Sequence, residues 1–132
     1  MVRLNIEYAE QGGQAIVLGC RWDVTQLVIP DTFNGMPVVG IAPGAFRDSP
    51  HLLYVDLPDS LQYVDEEAFA DCHALMSVRA GRSLKHLGER AFFRCTSLRE
   101  LNFETVPDAD ITTFAGCCLL TQQGEIASYR RT

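Results

Sequence analysis

The residue pair Ala-Phe recurs along the chain at a constant interval of 23 residues, as Ala45-Phe46, Ala68-Phe69 and Ala91-Phe92. Other apolar positions keep this interval: Ile41, Val64, Leu87; Leu52, Leu75, Leu98; Val55, Val78, Leu101; and Leu57, Ala80, Phe103. A fixed period of this length is typical of solenoids, in which each unit covers the apolar face of its neighbour. The sequence therefore predicts a stack of short coils whose equivalent residues form columns.

Two partial copies flank the regular ones. Upstream, the apolar positions recur at a spacing of 28, as Val24, Leu27 and Ile29 against Leu52, Val55 and Leu57. The extra residues fall in 31–37, where Asn-Gly and Pro predict a turn that bulges from the stack. Downstream, Phe114, Cys117 and Leu120 follow Phe92, Cys95 and Leu98 at a spacing of 22. The next core positions would be Gln123 and Glu125, both polar, so we expect the stack to end near Leu120.

The spacing inside one coil predicts its local structure. Leu52-x-x-Val55-x-Leu57 alternates like a short strand with residues 55 and 57 inward, and successive strands would form a parallel sheet on one face with right-handed returns. Residues 65–69, which are acidic at their start, are expected to form one helical turn on the opposite face. The predicted class is an α/β repeat in a single domain, 1–132. Residues 1–20 would form a β-hairpin cap, 21–120 four to five coils, and 121–132 the C-terminal end.

The segment 24–41 reads VTQLVIPDTFNGMPVVGI and is followed by APGAF and by the copy LPDSLQYVDEEAFADC. It resembles the BspA-type leucine-rich repeat, whose unit has an Ile-Pro strand end, a Val/Ile-x-x-Ile step and Ala-Phe-x-x-Cys. The resemblance covers about residues 15 to 120. It departs from the family pattern at Ser49, where Cys is expected, at Ala80-Gly81 in place of Ile-Pro, and after Leu120. It implies a short leucine-rich-repeat solenoid from a bacterial cell-surface or secreted protein that binds host or matrix proteins.

Composition limits the other possibilities. An apolar fraction of 47% is too high for a disordered chain, and the net charge of −6 argues against nucleic acid and anionic membranes as partners. No run approaches the ~20 apolar residues of a membrane span, so no membrane insertion is expected. The first seven residues have no apolar core of a signal peptide. The compartment is left open by the residues themselves.

The residues that could carry chemistry are explained by the repeat. Cys72, Cys95 and Cys117 each follow a repeat Phe by three positions, which favours a column of buried thiols. A disulfide between neighbouring coils is conceivable, but the five cysteines are an odd number, and no paired ligand motif indicates a metal. The histidines occupy unrelated repeat positions, and a pairing of neighbours Cys72 and His73 has no orienting group. We therefore expect no catalytic residues, no cofactor and no enzymatic activity.

The charged residues follow the repeat as well. The 23-residue step aligns four pairs of opposite sign: Asp56 with Arg79, Asp59 with Arg82, Glu67 with Arg90, and Asp71 with Arg94. Either the pairs fix how one coil lies on the next, or the alignment is accidental on a solvated surface.

The outward positions of the predicted sheet are the candidate binding site. They form two rows, Gln26, Tyr54, Ser77, Glu100 and Val28, Asp56, Arg79, Asn102, on what a curved solenoid would present as its concave face. The predicted ligand-binding residues are Gln26, Tyr54, Asp56, Ser77, Arg79, Glu100 and Asn102. We expect a non-catalytic module that binds a protein, and self-association through the C-terminal end of the solenoid is a further possibility. The alternatives are an ordinary solvated sheet, and a structural spacer or fragment of a longer repeat array with no ligand of its own.

Overall fold

The computed structural model describes residues 5–21 and 23–123. Each coil contributes one strand to a four-stranded parallel sheet, which we call sheet I and whose strands lie in chain order. These strands are β3 (Gln26–Val28), β6 (Tyr54–Leu57), β8 (Ser77–Ala80) and β10 (Glu100–Phe103). The register joins residues 23 apart between β6, β8 and β10, and residues 28 apart between β3 and β6. The molecule is thus a strand-rich solenoid of about four turns, as the repeat predicts.

A second sheet lies on another side of the coils and was not predicted. Sheet II contains the strands β1 (Ile6–Gln11), β2 (Gln14–Cys20), β5 (Met36–Ile41), β7 (Tyr63–Val64) and β9 (His86–Leu87), in that order, with β4 (Thr32–Phe33) paired to β5. The pairs β2–β5, β5–β7 and β7–β9 are parallel. Both β7 and β9 have only two residues, which is too short for the alternation of apolar and polar side chains that identifies a strand in sequence.

Turns occupy the place of the predicted helical turn at 65–69. Backbone bonds from Ala68 N to the Asp65 carbonyl and from Ala70 N to the Glu67 carbonyl close successive turns, while Phe69 N donates to Ala91 O of the next coil at 2.8 Å. A helix is prevented because Glu67 has φ of 56°, in the left-handed region. The predicted helical turn at 65–69 is therefore wrong, and the acidic residues at its start lie in turns. The α1 helix at Cys118–Gln123 is the one helix in the described part of the chain.

Two hairpins occupy the N-terminal end. β1 and β2 pair antiparallel around Gly12 and Gly13, both at positive φ, so the predicted hairpin is present. The extra residues of the first coil form the β4–β5 hairpin around Asn34-Gly35, with φ of 51° and 79°, which gives the predicted bulge a defined structure. The rings of Tyr8 and Phe33 stack with centroids 4.0 Å apart and join the two hairpins. The role of this N-terminal hairpin as a cap that keeps the solenoid soluble stays a prediction.

The core consists of columns of equivalent residues. Phe46, Phe69, Phe92 and Phe114 are buried and their rings stack nearly parallel, with centroids 5.3, 5.2 and 5.6 Å apart. The predicted ladders of apolar residues are likewise buried, except that Val24, Ala45 and Leu101 are half-buried. The structure confirms the assigned register, including the shorter spacing before Phe114. The predicted end of the stack near Leu120 was inferred from Gln123 and Glu125. The side chain of Gln123 and the whole of Glu125 lie outside the described residues, so this end stays a prediction.

Candidate functional site

The outward residues of sheet I lie in two rows across the four strands. Strand pairing aligns Gln26, Tyr54, Ser77 and Glu100 in one row and Val28, Asp56, Arg79 and Asn102 in the next. The alternate residues Leu27, Val55 and Val78 are buried, because side chains along a strand point to opposite faces. The structure therefore brings all seven predicted site residues onto one surface, which we call the sheet I face.

An ion-pair network lies across the second row. Arg79 Nη1 donates to Asp56 Oδ1 at 2.6 Å, and Arg79 Nη2 lies 3.8 Å from Glu104 Oε2. The hydrogen bond to Asp56, together with the charge of that carboxylate, raises the pKa of Arg79 above its ordinary value. One guanidinium thus bridges β6 and the residue that follows β10. Glu104 was missed in the sequence because its equivalents in the other coils are Pro30, Pro58 and Gly81.

The sheet I face also exposes apolar surface. Val28 is 47% exposed and Tyr54 is 44% exposed, and they lie on the neighbouring strands β3 and β6. Large apolar side chains surrounded by charged and amide groups are common in protein–protein interfaces, where tyrosine and arginine often contribute most of the affinity. The mixture on this face is suited to contact with another protein surface.

A concavity of about 280 Å³ lies where β3 and β6 end. We call it the strand-end concavity; it is lined by Val28, Ile29, Pro30, Asp31, Asp56, Pro58, Asp59 and Arg79. Asp31 and Asp59 are not among the predicted binding residues, although the repeat aligns them at the same 28-residue offset as β3 and β6. Asp31 accepts a hydrogen bond from Ser60 N at 3.3 Å, and Asp59 lies 4.0 Å from Arg82.

Three of the four predicted charge pairs form. In addition to Asp56–Arg79 and Asp59–Arg82, Glu67 contacts Arg90 at 3.8 Å and also receives a hydrogen bond from Arg47 at 3.1 Å. All these side chains are about a third or more exposed, so each pair stabilises the fold by ~0–1 kcal/mol.

The predicted pair Asp71–Arg94 is wrong. In the part of the chain that the structure describes, Asp71 instead contacts His73 at 3.7 Å. The guanidinium of Arg94 lies 5.7 Å from the Phe93 ring centroid, and the Arg90 guanidinium lies 5.5 Å from the same centroid. Arg94 can extend along the next coil because that coil has Gly116 at the facing position, where a Cβ would lie only 3.0 Å from Arg94 Cγ.

The cysteine column is buried as predicted. The Sγ atoms of Cys72, Cys95 and Cys117 donate to Phe46 O, Phe69 O and Phe92 O at 3.2, 3.1 and 3.0 Å. Hydrogen bonding to the thiols of the neighbouring coils, together with burial, raises the pKa of Cys95 above its ordinary value. Each thiol therefore ties the end of its turn to the Phe of the previous coil. In the first coil Ser49 has this place in sequence, and its hydroxyl donates to Phe46 O of its own turn at 2.6 Å.

The remaining titratable residues are dispersed over the surface. His51 Nδ1 contacts Asp23, and both side chains are exposed. Cys72 is buried while its neighbour His73 is exposed, so the two are not arranged as a nucleophile and its base. Among residues 5–21 and 23–123, no group of three or more His, Cys, Asp or Glu side chains is placed to hold a metal ion. Within the same residues, no helix has the length and apolar character needed to cross a membrane.

Comparison with known families gives a match over most of the chain. The sequence model described as BspA type Leucine rich repeat region matches residues 20–125 in six copies. No curated protein matches the chain.

Several solved bacterial structures have a similar fold. A leucine-rich repeat protein from Bacteroides capillosus superposes with a TM-score of 0.70 at 24% identity, over 85% of this chain and 88% of that one. A leucine rich cell surface protein from Faecalibacterium prausnitzii gives 0.69 at 20% identity, over 86% of this chain and 39% of that one. The leucine rich repeat protein of T. pallidum gives 0.60 at 22% identity, over 86% and 65%. This chain thus spans less than two thirds of the length of the latter two proteins, and at these identities the likeness shows the fold.

Proposed function

Because the chain belongs to the BspA-type leucine-rich repeat family, we propose that it is a non-catalytic module of a bacterial surface protein that recognises another protein through the sheet I face. Solenoids present extended surfaces of aligned strands, and such surfaces are suited to large protein ligands. The ligand class implied by the family resemblance is a host or matrix protein.

The observation that carries the proposal is the composition of the sheet I face. Tyr54 and Val28 are each almost half exposed on neighbouring strands, and Arg79 lies beside them in an ion-pair network. Their side chains point away from the core, so the packing of the coils does not explain why an aromatic and an aliphatic residue occupy these positions. On a surface with this composition, desolvation of the apolar side chains costs little free energy, and the polar groups provide specificity.

Binding to a panel of purified extracellular-matrix proteins, measured by surface plasmon resonance, tests the proposal. We expect at least one matrix protein to bind. The double variant Tyr54→Ala with Arg79→Ala should weaken that binding tenfold or more, because truncation of an interface hot spot commonly costs about 2 kcal/mol or more of binding free energy. Neither residue is in the core, so circular dichroism should show an unchanged fold.

The matched control is the double variant Glu66→Ala with Arg90→Ala, on the turn side of the coils. It should bind like the wild-type protein. Wild-type affinity in the Tyr54/Arg79 variant, with loss in the control, would assign recognition to the turn side. Absence of binding to every matrix protein would contradict the ligand class and favour the alternative of a spacer with no ligand of its own.

A further inference from the structure

The strand-end concavity adjoins the exposed apolar part of the sheet I face. Val28 forms part of both, and Pro30 continues the apolar wall beyond the end of β3 with an exposed ring. The lining also includes three acidic residues, Asp31, Asp56 and Asp59, and one basic residue, Arg79. Its lining thus combines an aliphatic wall with a local excess of negative charge.

Arg79 shows how a guanidinium binds to this surface. Its aliphatic stem crosses from β8 towards β6, and its Nη1 lies 2.6 Å from Asp56 Oδ1. Asp56 is therefore neutralised by a residue of the chain itself. Asp31 has no cation within 4.0 Å among the described residues, and Asp59 has one, Arg82, at the limit of 4.0 Å with a side chain 73% exposed. Two carboxylates of the concavity are consequently left with weak or no charge compensation.

The position of Asp59 depends on a glycine that departs from the family pattern. An added Cβ at Gly81 would lie 2.6 Å from Asp59 Cα and would overlap the Asp59 carboxylate. The residue pair Ala80-Gly81 stands where the family has Ile-Pro, and Gly81 is buried beneath Asp59. The absence of a side chain at Gly81 makes room for the carboxylate of Asp59, which itself lines the concavity.

We propose that the strand-end concavity binds a lysine or arginine side chain of an extended protein segment that lies on the sheet I face, and the inference rests on the proposed function of that face. The alkyl stem of the bound residue packs on Val28 and Pro30, as long basic side chains commonly do on apolar surface. Its charged end lies between Asp31 and Asp59. Adjacent residues of the segment then contact Tyr54, so the preferred partner sequence has a basic residue beside an aliphatic or aromatic one.

A library of random dodecapeptides displayed on phage and selected on the immobilised protein tests this proposal. We expect the enriched peptides to share one Lys or Arg next to an apolar residue. A synthetic copy of an enriched peptide should bind about tenfold more weakly when its basic residue is replaced by Gln. Its affinity should also fall with added salt, because the interacting charges are near the surface.

The protein variant that isolates the concavity is Asp31→Asn with Asp59→Asn. Asparagine keeps the oxygen that accepts from Ser60 and removes only the charge, so the fold should be preserved. We expect about a tenfold loss of affinity for the selected peptide. The control Glu7→Gln with Glu10→Gln removes the same number of exposed charges from β1 and should have wild-type affinity.

The outcomes separate this inference from the proposed function. Enriched peptides without a basic residue, no enrichment at all, or equal binding by the Asp31/Asp59 variant would each overturn it. If selected peptides lose affinity for the Tyr54/Arg79 variant but not for the Asp31/Asp59 variant, recognition by the sheet I face stands and the basic-residue site falls.

Discussion

Single residues in this solenoid contribute according to their column. Phe69 is fully buried between the rings of Phe46 and Phe92, whereas Phe93, the residue after Phe92, lies half-buried on the surface between two arginines. Phe69 therefore packs against two neighbouring coils, whereas Phe93 covers one turn. Phe92 and Phe93 are adjacent in sequence and have the same hydropathy, so hydropathy alone does not show which of them is buried. The repeat does, because only Phe92 belongs to the Phe column.

The change Phe69→Ala should lower the free energy of unfolding by ~3–5 kcal/mol, since it leaves a cavity between two rings. Phe93→Ala should cost about 1 kcal/mol or less, the size of exposed cation–π contacts. Urea denaturation of both variants measures the difference. Equal losses would mean that the Phe column does not carry the stacking of the coils.

Thiol reactivity should divide the described cysteines by exposure. Cys118 is exposed and should react with a maleimide reagent first, while the three buried thiols react only when the coils open. Intact-mass spectrometry at timed intervals should show that the first addition in the native protein is at Cys118, ahead of the half-buried Cys20, and Cys118→Ser should abolish that first addition. Rapid labelling of Cys95, mapped by digestion, would contradict the burial of the column.

At the scale of elements, the turns between sheet II and sheet I have an unusual backbone. Asp48, Asp71 and Arg94 occupy one column and have φ of 59°, 59° and 58°, and the fourth member of that column is Gly116 at 82°. Conformations with positive φ cost an ordinary residue roughly 1–2 kcal/mol. Hydrogen bonds between coils maintain them, such as Asp48 N to Ala70 O at 2.9 Å and Asp71 N to Phe93 O at 2.7 Å.

This backbone makes the column sensitive to residue type. Asp48 is exposed, so Asp48→Gly should leave the stability within about 1 kcal/mol of the wild-type value, because relief of strain offsets the added entropy of the unfolded chain. Asp48→Val should destabilise by about 2 kcal/mol, since a β-branched residue adopts positive φ least readily. Thermal unfolding followed by circular dichroism compares the two. A valine variant as stable as the glycine variant would contradict the assigned backbone conformation.

The charge pairs between coils can be tested by exchange of the partners. Glu67→Arg places an arginine beside Arg47 and Arg90 and should lower the free energy of unfolding, more at low salt than at high salt. Adding Arg90→Glu should restore part of the lost stability, about 1 kcal/mol or less. The same exchange at Asp71 and Arg94 should show no coupling, because these residues do not pair. Absence of coupling at both positions would mean that the alignment of the charges is accidental.

The repeat predicted the columns and sheet I but not the rest of each coil. Positions such as Val55 and Phe69 recur because their burial leaves few acceptable side chains, and this constraint is visible in the sequence. The second sheet depends on backbone pairing of two residues, at Tyr63-Val64 and His86-Leu87, for which no side-chain pattern is required. The strand-end concavity was not predicted because its lining includes residues beyond the ends of the strands, such as Asp31 and Asp59, which belong to no apolar ladder.

At the scale of the molecule, the core is a stack of columns in which each coil packs on its immediate neighbours. Such stacks open from their ends, since an end coil has one neighbour where a middle coil has two. Hydrogen exchange measured by mass spectrometry should therefore be slowest for the amides of β6 and β8 and faster for β1 and β10. Uniform protection from β1 to β10 would mean that the stack unfolds as one cooperative unit.

The hydrogen bonds between coils have a mechanical consequence. Bonds of sheet I, sheet II and the turns all point along the stacking axis, so a force applied to opposite ends of the stack pulls on them one layer at a time. Each layer that detaches releases about 23 residues, or roughly 80 Å of extended chain. A domain under tension would therefore lengthen in steps, and the layers still stacked would keep their strands aligned while the detached chain absorbs the load.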